Sequence, residues 1–142
     1  MHILRNIPYT LIPLIIFNLV IAFSAPLVWD NVLFELPLFS GVDWPLQLGD
    51  LMVTVGLVAL LGEVFRSTTM GRGAVTNHLL SIIVLIIFVV EFVVVGEAAN
   101  STFFILTMIA LIDVLTGVVV SIRLATRDIA VDGDYPGGTH LR

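Results

Sequence analysis

TFFILTMIALIDVLTGVVVSIRL, residues 102–124, decides the fold. A helix crosses the hydrocarbon core of a bilayer with about 20 apolar residues. Here a run of that length carries only one ionisable group, Asp113, before Arg123 is reached. Moving outward, three more stretches have the same character: Leu79–Gly96, Leu48–Phe65 and Pro8–Trp29. The separators Asp30–Gln47, Arg66–His78 and Glu97–Ser101 are polar or rich in Gly and Pro. The expected fold is therefore all-α, a polytopic four-helix membrane bundle over residues 1–127 with spans at 8–29, 48–65, 79–96 and 102–124. Residues 128–142 contain Asp132-Gly133-Asp134 and Pro136-Gly137-Gly138, which predicts a mobile cytoplasmic tail.

The whole 142-residue composition agrees. Apolar residues reach 58% and charged residues only 12%, against about 45–50% and about 25% in soluble domains, and the mean hydropathy is +1.11. A soluble enzyme, a nucleic-acid-binding domain and a disordered chain are excluded on that ground. The net charge of −5 also gives no affinity for nucleic acid. The absence of cysteine removes disulfides, thiol catalysis and iron–sulfur ligation. The absence of lysine removes Schiff-base chemistry, including a retinal pump. His2, His78 and His140 are too dispersed for a metal motif. No cofactor and no catalytic residue set is expected.

Arginine placement predicts orientation. Arg5 precedes the first span, Arg66 and Arg72 lie between the second and third, and Arg123, Arg127 and Arg142 end or follow the fourth. All six fall on one side of a four-span arrangement, so that side is expected to be cytoplasmic, with both termini inside. The other side holds Asp30, Glu35, Asp43, Asp50 and Glu97. Arg5, the apolar run and Ala22-Phe23-Ser24 weakly resemble a signal peptide, but the run is long for that role and Pro13 interrupts it early.

The segment 30–47 alternates apolar and acidic residues around Ser40-Gly41, which predicts a short periplasmic β-hairpin on the membrane surface, or else an irregular cap. Pro37 and Pro45 restrict strand pairing to edges. Trp29 and Trp44 are expected as interface anchors.

Ionisable groups in the spans need a partner or a purpose, because a charge at mid-bilayer costs about 2.5–3.5 kcal/mol. Asp113 lies about 15 Å from either edge by helical rise. Ala110, Thr116 and Gly117 give its face the small residues of a helix–helix contact, and a hydrogen bond to Asn18 is the expected partner. Glu91 is shallower and expected to reach toward the interface. Glu63 and His78 are expected to pair near the cytoplasmic end, with Arg66 and Arg123 close by. Gly49, Gly56 and Glu63 repeat every seven residues along the second span, a seam of close contact that serves either the bundle or an oligomer.

The chain resembles a group of small inner-membrane proteins of proteobacteria, chiefly alphaproteobacteria. The resemblance rests on Asn6-Ile7-Pro8, Leu48-Gly49-Asp50, His78-Leu79-Leu80-Ser81 and Ile112-Asp113-Val114, with Ser121-Ile122-Arg123 and Arg127-Asp128. It implies an organism class and a topology, and no activity. The expected function is that of a non-catalytic accessory, assembly or scaffold subunit, with the lipid bilayer and either its own copies or other membrane-protein subunits as partners. The alternative is a small oligomeric proton-linked transporter or channel, with Asn18, Glu91 and Asp113 along the path and Glu63 and His78 at its inner mouth.

Overall fold

A computed structural model describes residues 7–23, 28–69 and 74–132. Four helices account for most of it: α1 (Leu11–Phe23), α2 (Leu48–Thr69), α3 (Ala74–Val94) and α4 (Ser101–Asp132). Two strands, β1 (Val32–Pro37) and β2 (Asp43–Gln47), pair antiparallel between α1 and α2. Segments Leu48–Arg66, Asn77–Val94 and Ser101–Ile122 are long and apolar enough to cross a membrane.

The first apolar stretch departs from the expected continuous span over 8–29. Its helix has 13 residues, about 20 Å by the helical rise, which is short of the ~30 Å hydrocarbon core. Pro13 falls in its first turn, where a missing N–H is tolerated, and Pro8 and Tyr9 supply carbonyls to Leu11 and Ile12. The polypeptide nonetheless runs the length of the bundle. Thr10 meets Asp113 of α4 at one end, and the Trp29 carbonyl lies beside Gly49 of α2 at the other.

Both ends of the loop-to-helix junctions are capped. Asn100 accepts from the Phe103 N–H at 2.9 Å, as an N-cap residue does. Asp50 reaches back to the Gln47 N–H at 3.0 Å, the reciprocal half of a capping box. Where a mobile tail is expected to begin at residue 128, α4 instead continues as helix through 128–132. The stretch RLATRDIAV contains good helix formers and no Gly or Pro. Residues 133–142 lie outside the described residues.

In a bilayer, where lipid is as apolar as leucine, helices of this kind would be held by close packing rather than by burial from water. The core is a column of Leu14, Phe17, Val84, Phe88, Phe103 and Leu106. Phe17 stacks on Trp29 with centroids 4.4 Å apart and meets the Phe103 ring at 4.5 Å, tilted by 53°, and Phe88 meets Phe103 at 5.3 Å. Trp29 is thus buried, not the interface anchor the sequence suggests. The aromatic column draws it inward. Large aliphatic side chains such as Ile83, Ile86, Val90, Ile112, Leu115 and Val119 face outward.

The small-residue seam of α2 is used within the bundle. A Cβ at Gly56 would stand 2.6 Å from Leu106 Cδ2 and 3.1 Å from Ile109 Cδ1 of α4. At Gly49 it would meet Thr102 Oγ1 at 2.6 Å, and at Gly62 the Tyr9 ring at 2.9 Å. Gly56→Ala therefore overpacks the α2–α4 contact and is expected to cost about 1–3 kcal/mol. The measurement is the thermal unfolding midpoint in mild detergent. An unchanged midpoint would mean that α4 does not press on this face.

The hairpin expected over 30–47 is present. Leu36 pairs with Trp44, and Phe34 with Leu46. The loop Phe39-Ser40-Gly41 closes with Leu38 N–H donating to Val42 O at 3.0 Å and Gly41 N–H to Leu38 O at 2.9 Å. Gly41 has φ +80°, the left-handed position that ends a type I turn in a three-residue hairpin loop.

Candidate functional site

Four elements bring polar side chains together at the Arg66 end of the bundle. Glu63 and Arg66 stand one turn apart on α2 and form an ion pair at 3.1 Å, with both side chains largely buried. Asn77 of α3 donates to Glu63 Oε1 and accepts from Arg66. The segment before α1 closes the ring. The Tyr9 N–H donates to Glu63 Oε2 at 2.8 Å, Arg66 donates to the Ile7 carbonyl at 2.7 Å, and the guanidinium lies 4.7 Å over the Tyr9 ring. Glu63 is also placed where the positive end of α1 favours a carboxylate.

One helical step further in, the Thr10 hydroxyl donates to Asp113 Oδ2 at 3.1 Å. Ser81 of α3 lines the same cavity as Asp113. Backbone donors at the start of a helix have no partner within the helix and need one from elsewhere when buried. Glu63 and the first-turn carbonyls supply partners for this one.

Between these two groups lies a cavity of about 20 Å3 lined by Glu63, Asn77, His78, Ser81, Asp113 and Thr116, among others. That is room for one water. His78 packs its ring against Gly117 of α4, and its buried Nδ1 has no hydrogen-bond partner among the described residues. Thr116 lines the same cavity, and its hydroxyl donates to the Ile112 carbonyl of its own helix at 2.8 Å.

Asn18 and Glu91 form a second, separate site. Asn18 Nδ2 donates to Glu91 Oε2 at 3.1 Å and to the Leu14 carbonyl at 3.1 Å. The expected Asn18–Asp113 bond is not made, because Asn18 lies eight residues beyond Thr10, about 12 Å along α1. Glu91 turns to Asn18 instead of reaching for the interface. Glu63 pairs with Arg66 and Asn77, not with His78, which faces α4. Leu14, Val84, Phe88, Leu106 and Ile109 lie between the two polar sites along their helices. The buried Thr107 hydroxyl in that layer donates to the Phe103 carbonyl at 2.9 Å.

Asp113, Glu63, His78 and Thr116 were legible as candidates, and all four line one cavity. Thr10 and Asn77 escape a reading of the sequence, although each is a polar residue at the edge of an apolar run, and Ser81 enters it only through the resemblance motif. Among the described residues no three histidine or carboxylate side chains converge as a metal site requires. Of the orienting arginines, Arg66 is internal to the site, the backbones of Arg123 and Arg127 continue α4 at the same end, and Arg5 and Arg72 lie outside the described residues. No protein-family model, curated protein or solved structure matches the chain.

Proposed function

We propose that this chain is a non-catalytic accessory, assembly or scaffold subunit of a bacterial inner membrane. It crosses the membrane four times with both termini cytoplasmic, and it works by contact with its own copies or with other membrane proteins. Membership in the small proteobacterial group is part of the same proposal. The observation that supports it is how the deep polar groups are used. Glu63, Asn77 and Asp113 tie the start of α1 to the other three helices, and an apolar layer separates them from Asn18 and Glu91. Side chains spent in this way act as helix glue. The test is native mass spectrometry of the full chain extracted in mild detergent. An assembly of fixed stoichiometry, heavier than the 15.5 kDa protomer, is the expected result, and a strictly monomeric particle would overturn the reading.

A second reading, a small proton-linked transporter or channel, draws support from the cavity shared by Glu63, His78 and Asp113. Intramembrane carboxylates beside a histidine are the usual parts of a proton relay. Proteoliposomes separate the two readings. For an accessory subunit, wild-type and Asp113→Asn vesicles are expected to be equally proton-tight. A proton flux present in the wild type and lost in the variant would move the function to the second reading.

A further inference from the structure

The hairpin carries two chemically distinct faces. Residues opposite each other across a ladder share a face, and faces alternate along each strand. Phe34 with Leu46, Leu36 with Trp44, and Leu38 with Val42 make one face wholly apolar. Glu35 with Pro45 and Pro37 with Asp43 make the other acidic and proline-bearing. Phe34, Leu36, Leu38, Val42 and Trp44 are all exposed.

The edges do not invite a further strand. Leu38 and Val42 form a hydrogen-bonded pair. Alternation then makes Pro37–Asp43 and Glu35–Pro45 non-bonded pairs, whose nitrogens point away from the partner strand. At those outward positions Pro37 and Pro45 have no N–H to give. The Gln47 N–H is taken by Asp50. Proline on an edge is a device against strand addition, so a protein strand is a poor fit.

A lipid surface is a good one. β2 passes into α2 without an intervening residue, and the Leu48 N–H bonds the Asn31 carbonyl at 2.9 Å. The base of the hairpin is therefore fixed to the end of a membrane-length helix. The hairpin holds no basic residue, while Glu35 and Asp43 are both acidic. Attraction to anionic headgroups is thereby removed, leaving apolar insertion as the driving force.

We propose that the β1–β2 hairpin lies along the adjoining leaflet, with Phe34, Leu36, Trp44 and their neighbours at the headgroup–acyl boundary and Glu35 and Asp43 in water. Trp44 is the anchor, since an indole is half apolar and half wet. The chain has no native cysteine, so single spin labels report each face cleanly. The full chain carries Leu36→Cys, Val42→Cys, Glu35→Cys or Asp43→Cys and is reconstituted in phosphatidylcholine vesicles. Oxygen collisions are expected to dominate at 36 and 42, and collisions with a water-soluble nickel chelate at 35 and 43. The same alternation is expected after part of the phosphatidylcholine is replaced by phosphatidylglycerol. Chelate access at all four positions would overturn the proposal by placing the hairpin in water. Exclusion of both probes at 36 and 42 would overturn it by showing protein on that face. A second measurement needs no label. The emission lost in Trp44→Phe isolates Trp44, while Trp29 stays in the core. That component is expected to be quenched by chain-brominated phosphatidylcholine, and an unquenched signal would equally defeat the proposal.

Discussion

Glu63→Ala is expected to cost about 3–5 kcal/mol, the scale for breaking a buried ion pair. The carboxylate accepts from the Tyr9 N–H at 2.8 Å, from Asn77, and from Arg66 at 3.1 Å. Removing it takes an acceptor from three donors at once, at a site buried from solvent, where unmade hydrogen bonds are costly. Two of the three are side chains on α2 and α3, and the third is the backbone leading into α1. The loss therefore falls on the attachment of α1 in particular. The measurements are the unfolding midpoint in detergent and amide exchange at Tyr9 and in the first turn of α1. Both are expected to change, with faster exchange at α1 than at α3. Glu63→Gln keeps one acceptor oxygen and is expected to lose distinctly less. A midpoint unchanged by Glu63→Ala would show that the ring of contacts does not hold the bundle.

Phe103→Ala is the second large effect. Phe103 is fully buried and touches Phe17, Phe88 and Phe92, so truncation empties the centre of the aromatic column. In a water-soluble protein the change costs about 3–5 kcal/mol. For the membrane bundle proposed above, the transfer part of that cost shrinks, because a dissociated helix would still rest in lipid. The cavity and the lost dispersion contacts remain, and the expected loss is at the low end, about 3 kcal/mol. Steric-trap unfolding in bicelles measures it directly. The same experiment on Ile112→Ala, at an exposed position of the same helix, is expected to show a far smaller change. Equal losses at the two positions would mean that the column is not what holds the helices together.

Much of this was readable in the residues, and the misses share one cause. Apolar run lengths located α2, α3 and α4, and Ser40-Gly41 located the hairpin turn. Depth along a helix follows from counting residues, which puts Glu63 and His78 near one end, but the same count sets Asp113 at mid-bilayer, whereas it shares their cavity. Rotation about the helix axis and the start of α1 do not follow from counting. Reading the first span from Pro8 placed Asn18 level with Asp113, whereas Thr10 is the residue at that level. Asn77 and His78 are neighbours in sequence, yet Asn77 turns to α2 and His78 to α4. Residue type alone points Trp29 to the interface, while the Phe17 ring gives it a stacking surface inside. The sharing of α2's small residues with α4 and Tyr9 likewise needed the packing to be seen.

The length of α4 carries a mechanical consequence. Its apolar window closes at Ile122, yet the helix holds its form to Asp132, a further ~15 Å at the rise of an α-helix. A rod packed into a bundle over most of its length transmits tilt and rotation to its last turns. Under the membrane reading proposed above, a group bound at 123–132 would keep a set stand-off from the bilayer and turn whenever the bundle does.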